Sequence, residues 1–496
     1  MKRYLQTVGV LFLGLFVAQV IATIQVYLSN LHLHATLAAV TEAGYFPIPN
    51  EGFMPNLLEI GPAFLGGLFF TLSVGAGLTF ISMAAALFWA HLLRRNKIAL
   101  IPFLILWIGA IVILNYHGFC PMVTLYILII PPVIFTVTMK WTSLHLTQMA
   151  LLTRVVHIIP PFLLALLWAT QTSGPLFLEF RDNLLLSNSW GTKINDFYYA
   201  NTLYPAEAFK SLNQKILKTA DLGQIRKKPV ARALERKLIN YDYLNVGGNR
   251  RVDLKIFEVG NQYLFVNRGR TIVKTSLQDF LTDPKKVLED FSLRSDRYGF
   301  FRQFTLFSLL LGLPLSVYVV LHALFCLLTY PFVSFKVSSI IASIVCFVLG
   351  MSLWVAFVEL RGERIQGKEL PAALESEDWR KRISALKTIV HNKIEISDFP
   401  NYQRFMSSSH MPERFWLVGA LGVSRRPETH KEILPYLDDP HPNVERMALH
   451  ALGQRGDKVA IPEIIKRIET SDHWFSQWYA YKALRALGWK QVKESN

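Results

Sequence analysis

Charge is scarce in this chain. Asp, Glu, Lys and Arg make up 18% of its 496 residues, against 52% hydrophobic, where ordinary soluble domains carry about 25% charged residues. That balance is the composition of an integral membrane protein. Cysteine is scarcer still: Cys120, Cys326 and Cys346 are the only three, and the last two lie inside apolar segments. No disulfide framework is available, and the redox compartment is not marked. Catalytic signatures are missing too. There is no P-loop, HExxH, GxSxG or paired-carboxylate pattern, so no enzyme activity and no cofactor are expected. Cold-shock, zinc-finger and RNP motifs are likewise absent, so no nucleic acid is expected in spite of a formal charge of +16. In a membrane protein such basic residues set topology and meet anionic lipid headgroups.

What is present is a series of apolar runs. A spanning helix needs about 20 of them in a row. Seven stretches qualify or nearly so: 6–28, 62–92, 99–116, 121–139, 151–170, 303–329 and 337–359. The first resembles a signal peptide in its opening residues, with Val20 and Ala22 before a cleavage point, but its apolar run continues through TIQVYL, which favours an uncleaved anchor. Lys2 and Arg3 precede it. Residues 30–61 and 115–122 contain no Lys or Arg, whereas Arg94, Arg95, Lys97, Lys140 and Arg154 mark the alternate loops. Basic short loops stay in the cytoplasm, so the N-terminus is placed inside and residues 171–300 outside. Two further spans return the C-terminal part to the same exported face. Arg294, Arg297 and Arg302 oppose this assignment, but long exported segments largely escape the charge rule.

The segment 171–300 reads as a soluble α+β insertion. Residues 194–223 suggest helix, with Pro205 as a break and Gly223 as a stop. KLINYDYLNV, RRVDLKIFEV, NQYLFV and TIVKT then alternate between Gly-containing turns, as four strands of an antiparallel meander would. Phe197, Tyr198, Tyr199 and Tyr204 form an aromatic group, either a binding surface or a mixture of core and interfacial anchors.

The end of the chain repeats itself. GALGVSRRPETHKEILPYL at 419–437 returns as HALGQRGDKVAIPEIIKRI at 450–468, with WRKRISALKTIV (379–390) before and WYAYKALRALGW (478–489) behind as looser first helices. Each unit is two short helices, with Ala and Leu on the contact face and a glycine at the end of the first helix that would permit the turn. Over residues 372–490 this resembles the HEAT-like repeat family, specifically the short units also found in phycobilisome lyases. The resemblance implies an α-solenoid that grips a protein partner along one face, and it does not imply lyase activity. Trp474, Trp478, Tyr481 and Trp489, in a terminal group rich in aromatics, are candidate partner-binding residues, or the residues that dock or cap the last repeat.

Inside the spans, His157 and His322 are the candidate cofactor-binding residues, as axial ligands of a haem or polar groups near a quinone. His32, His34, His117, Cys120 and Met122 fit no metal-binding spacing, and no metal is expected. The IIPP pairs at 129–132 and 158–161 fall near mid-span, where broken helices form transporter sites. The whole reads as a mainly α membrane protein of about seven transmembrane helices. Residues 1–170 supply five spans, 171–300 an α+β domain, 301–360 two spans and 361–496 a HEAT-like α-solenoid. The expected function is a multipass scaffold, in a bacterial inner membrane, that binds membrane lipids and other protein subunits through its repeats. A transporter or channel component using 121–139 and 151–170, and a haem- or quinone-linked redox subunit, are the alternatives.

Overall fold

The first apolar run does not end its helix. In the computed structural model, which describes residues 2–142, 151–170, 179–248, 250–361 and 365–493, α1 is one helix of 41 residues, Lys2–Glu42. At 1.5 Å per residue that is about 60 Å, twice the thickness of a bilayer's hydrocarbon core. No glycine or proline interrupts the chain between Gly14 and Gly44, and Gly44 takes a positive φ where the helix stops. Phe12, Phe16, Val20, Ile24 and Leu28 are exposed on one stripe with helical spacing. Beyond Leu31 the stripe ends, and Leu37 and Val40 are buried. The span expected at 62–92 is split: α2 (Ile60–Phe70) and α3 (Ala76–His91) are joined by a π-helical turn, Thr71–Gly75. Three more helices follow, α4 (Ile101–Asn115), α5 (Pro121–Thr142) and α6 (Leu151–Ala169).

Neither IIPP pair breaks its helix. Pro131 and Pro132 lie inside α5, and Pro160 and Pro161 inside α6. A proline frees the carbonyl four residues earlier. Here the Ile127 carbonyl freed by Pro131 accepts a 2.6 Å hydrogen bond from the indole N–H of Trp107 on α4, so that carbonyl stays satisfied in apolar surroundings.

The inserted domain differs from the expected meander. After α7 (Ser189–Asn201) and α8 (Leu203–Phe209) come β1 (Lys218–Asp221), α9 (Lys228–Leu238), β2 (Tyr243–Asn245), β3 (Leu254–Val259), β4 (Gln262–Asn267) and β5 (Arg270–Ser276). The sheet order is β2-β1-β3-β4-β5, with β1 parallel to both neighbours. β1 is the strand the sequence hid. Its four residues are all buried, so it shows no alternation, and it lay within a run read as helix. The Gly247-Gly248 pair serves a crossover between non-adjacent strands instead of a hairpin. Only β3–β4 and β4–β5 are hairpins, the second closed by Arg268 and Gly269, both at positive φ. α10 (Leu277–Thr282) and α11 (Pro284–Ser295) cover the sheet, where Phe265, Phe280 and Phe291 meet.

Two long helices then return to the bundle, α12 (Gly299–Thr329) and α13 (Phe335–Arg361). Among the described residues six segments are long and apolar enough to cross a membrane: Leu5–Glu42, Ile60–Ala90, Ile98–Asn115, Pro121–Trp141, Gly299–Thr329 and Phe335–Glu359. The difference from the expected seven lies at 151–170, where α6 is present but the side chains of 151–158 fall outside the described residues. α6 runs in the same direction as α13, since Leu164 meets Gly350 and Trp168 meets Phe357 at 5.6 Å.

Small residues let the central helices touch. A Cβ on Gly14 would stand 2.1 Å from Oγ1 of Thr79, one on Gly75 2.4 Å from Cβ of Ala18, and one on Gly312 2.8 Å from the backbone nitrogen of Gly77. This is the close approach that packs helices where no hydrophobic effect separates protein from solvent. Gly312→Ala is expected to destabilise the bundle by about 1–3 kcal/mol, because a backbone atom cannot step aside. Gly109→Ala on α4, where a Cβ meets nothing within 4 Å, serves as the neutral control. Thermal unfolding of the purified protein in detergent reads both, and equal midpoints would refute the packing argument.

The C-terminal part stacks helix pairs. First helices are α15 (Trp379–Asn392), α16 (Met411–Val423), α18 (Pro442–Arg455) and α20 (Trp474–Ala486), preceded by the short α14 (Leu370–Glu375). Second members include α17 (Glu428–Ile433) and α19 (Ile461–Thr470). The repeated glycines do not make the turns. Gly422 and Gly453 lie within the last turn of α16 and α18, where a Cβ would meet Ala451 at 2.7 Å and the Cα of Ala483 at 2.8 Å. They are spacers between successive first helices, and Gly456, at positive φ, makes the turn after α18.

Candidate partner-binding platform

The last repeat is fastened to the rest of the chain. The segment after α1 supplies one side. The amide N–H of Asn50 donates to Oε1 of Gln477 at 2.7 Å, and the Asn50 side chain donates to the carbonyls of Ile468 (2.9 Å) and Ser471 (3.1 Å). Gln491 pairs with the backbone of Phe46 in both directions, accepting at 3.0 Å and donating at 2.9 Å. The inserted domain supplies the other side. The hydroxyl of Tyr481 donates to Asp242 at 2.6 Å, and Arg485 reaches the same carboxylate at 3.0 Å and the Asn240 carbonyl at 2.7 Å. Val40, Tyr45, Ile48 and Leu244 join the apolar core of the repeats.

Gln477 explains why this repeat is the docked one. Arg382 and Arg414 each donate to the carbonyl six residues earlier, of Ser376 (2.7 Å) and Ser408 (2.6 Å). Gln477 makes the equivalent bond to Ser471 at 2.7 Å. An arginine there has donors only, whereas the carboxamide keeps an acceptor for Asn50. The position is not uniform along the array: Arg382 and Arg414 hold it in α15 and α16, Glu445 in α18 and Gln477 in α20.

The candidate aromatics lie within this junction. Trp474 is 6% exposed, and its indole N–H donates to the Tyr199 carbonyl at 2.9 Å. Phe475 stacks on Tyr199 at 4.3 Å and on Trp478 at 5.5 Å. Tyr481 is buried, and Trp489 packs on it edge-on at 6.1 Å. All four candidates are thus engaged by the chain's own segments, as capping and docking residues would be. Of the earlier aromatic group, Tyr199 and Tyr204 pack inward, while Phe197 and Tyr198 are exposed. A narrow cleft remains between α1, α8 and α20, lined by Leu33, Leu37, Ile48, Leu203, Trp474 and Trp478.

Arg446 sits at the centre of the contact with α7. It is 3% exposed, with its guanidinium 4.6 Å from the Phe475 ring and 5.5 Å from that of Tyr199, and one terminal nitrogen 3.3 Å from His473. Arg446 thus meets ring faces, whereas Arg382 and Arg414, one position earlier in their own helices, pair with Glu413 and Asp439. Burial, and then the Arg446 charge, hold the His473 pKa down to about 4.

His322 lies buried between α12 and α13, with Nε2 3.1 Å from the Ser343 hydroxyl and Nδ1 3.8 Å from the Cys326 sulfur. Both ring nitrogens thus meet neighbouring side chains. The side chain of His157, its proposed companion, lies outside the described residues. No group of three or more His, Cys, Asp or Glu side chains is placed to hold a metal ion among the described residues.

With this geometry in place, comparison with known proteins gives one match. A family model described as HEAT repeats covers residues 402–488. The C-terminal region of the chain therefore carries HEAT repeats. No curated protein and no solved structure matches the chain.

The docked side uses the first turns of α16, α18 and α20, where Arg181 lies over Phe415 and Asn195 bonds to Asn443. The second-helix side is open: Gln403, Lys431, Lys466 and Glu469 are exposed there. Gln477→Arg is expected to free residues 43–59 from the repeats at a cost of about 1–3 kcal/mol, the penalty of stranding a buried donor. Faster amide exchange at Asn50, with the repeats still folded, is the outcome that checks it. The His473 shift gives a second expectation. Between pH 6.5 and about 4 the unfolded chain takes up a proton that the folded chain refuses. Falling pH therefore favours opening across that window, and rising pH restores the contact. His473→Gln should flatten this dependence of α20 protease resistance on pH.

Proposed function

We propose that the chain is a multipass membrane scaffold subunit that presents a fixed HEAT-repeat platform to a partner protein on the exported face of a bacterial inner membrane. The observation that carries this is the clamp at the last repeat. A HEAT array whose final unit is fastened to the end of α1 and to the inserted domain stands at one end of the apolar bundle in a set orientation, with its second-helix side left open for a partner.

Several features support the placement. The segments after α1, between α4 and α5, and after α13 all lie at the platform end. Arg297 donates to the Phe119 carbonyl at 3.1 Å, and Arg270 to that of His117 at 3.3 Å, joining the α4–α5 turn to the inserted domain. Because α6 runs parallel to α13, the chain reaches this end again before the inserted domain begins. Arg94, Arg95, Lys97, Lys140 and Lys336 lie toward the opposite end, where a cytoplasmic surface favours them. The arginines that opposed this topology have local employment: Arg294 pairs with Asp290 at 2.7 Å, and Arg302 pairs with Asp296. The open side is polar, which suits a partner that comes and goes through side-chain contacts better than a permanent apolar interface. Both proline-bearing helices are continuous, which supports the scaffold reading over the transporter alternative.

The test places a photoactivatable side chain at Lys431 or Lys466 in native membranes. A discrete cross-linked protein is expected, and it should vanish in Leu452→Asp, which buries a carboxylate in the repeat core, while the bundle still inserts. Absence of any adduct from both sites would reject the scaffold reading. Lys466→Cys should also react with a membrane-impermeant thiol reagent in intact spheroplasts, and labelling only after lysis would invert the topology.

A further inference from the structure

Among the described residues, one helix in the inserted domain leaves an apolar face without a partner. On α7, Trp190 is 76% exposed, Ile194 58%, Phe197 50% and Tyr198 48%. Their spacing, i, i+4, i+7 and i+8, makes one continuous stripe. An adjoining side of α7 is occupied: Gly191 and Asn195 are buried, Asn195 bonds to Asn443 at 3.3 Å, and Tyr199 stacks on Phe475. Each of Asn195 and Tyr199 follows a stripe residue by one position, about 100° around the helix. The stripe therefore lies on a different side of α7 from the one that meets the repeats.

Segments on both sides of α7 are tied to the bundle near its platform end. Before it, Phe180 lies 6.2 Å from Phe357, one turn from the end of α13. After it, Tyr204 backs onto Gly66 of α2, whose Cβ would fall 2.7 Å from that of Tyr204, and Phe209 sits 5.4 Å from Phe70. A helix of this length, about 20 Å, then runs across the bundle's platform end instead of rising from it. Leu58, Ile60 and Phe64, at the start of α2, continue the exposed apolar surface toward the bundle flank. Lys193 holds its ammonium 5.3 Å over the Trp190 ring, at the edge of the stripe. Trp, Tyr and a snorkelling Lys around an aliphatic centre are the side chains that settle at a membrane–water boundary.

We propose that α7 is an interfacial helix: its Trp190–Ile194–Phe197–Tyr198 face lies in the lipid headgroup region of the platform-side leaflet, while its other face holds the HEAT repeats. The inference rests on the membrane reading of the bundle. Its occupant is the lipid surface, because the stripe is continuous with the bundle's own apolar flank and ends in residues suited to headgroups.

The test uses the full chain in vesicles of phosphatidylethanolamine and phosphatidylglycerol, with nitroxide carried on the lipid near the headgroup or deep in the acyl chain. The native cysteines are buried, so Ile194→Cys, Phe16→Cys and Lys466→Cys can each be labelled with an environment-sensitive fluorophore. Shallow nitroxide should quench the Ile194 probe several-fold more than the Lys466 probe, and deep nitroxide should quench the Phe16 probe. An Ile194 probe that iodide in the water quenches as freely as the Lys466 probe would overturn the proposal, and so would one that neither quencher reaches, which would mean a protein covers the face. In either case quenching at Phe16 leaves the membrane reading intact. Loss of lipid quenching at both Ile194 and Phe16 would reject both.

Discussion

Everything beyond the bundle depends on two carboxamides that read backbone. Gln477 and Gln491 bind the chain at Asn50 and Phe46 by both donating and accepting, which a charged side chain at either place cannot do. A repeat array has a structural need at its end, because its last unit has no successor to cover its apolar face. Many arrays meet that need with a polar terminal helix. In this chain the cover is the segment that follows α1, together with the edge of the inserted sheet at Asp242 and Leu244. The cap of the solenoid and the anchor of the platform are thus the same contact, and the platform cannot fold fully apart from the bundle that carries it.

The parts of this fold that follow local rules were legible. Long apolar runs became helices, the 31-residue echo of Ala-Leu-Gly became stacked repeats, and the Gly-Asn and Arg-Gly turns became hairpins. What escaped was set by contacts distant in sequence. β1 is four buried residues with no period of its own, and its pairing with β2 and β3 is purely tertiary. The length of α1 beyond Leu28 was hidden because its exposed apolar stripe gives way there to side chains such as Leu37 and Val40 buried against the rest of the chain, while the helix continues. At the first proline pair the reason is also tertiary: Trp107, twenty residues before Ile127, donates to the carbonyl that Pro131 frees. At the platform, the aromatic residues were visible as a cluster, but whether they face a partner or the chain itself depends on Asn50, Tyr199 and Asp242, which no local pattern joins to them.

The junction between α7 and the repeats shows a different balance. Arg446 is buried without a carboxylate at hydrogen-bonding distance, and its Nε and one terminal nitrogen find no partner among the described residues. Desolvation lowers its pKa to about 10, so it remains charged at neutral pH. Tyr199 and Phe475 return part of that cost through their ring faces. Such a contact is weaker than the bidentate pairing of Arg414 with Asp439, at 2.8 and 3.1 Å. The array is therefore held unevenly, firmly at the Gln477 end and more loosely along α7.

That unevenness gives α1 its importance. Its lower half is packed with almost no freedom to slide, since Gly14 faces Thr79 and Ala18 faces Gly75 at distances that admit no side chain between them. To move along its axis the helix would have to carry Val10 or Ala18, the neighbours of Gly14 on the same face, to that point, and close packing resists intermediate positions of that kind. Its upper end is the firm attachment of the repeats. The height of the platform above the bundle is consequently fixed by glycine contacts inside the bundle, well away from the repeats themselves.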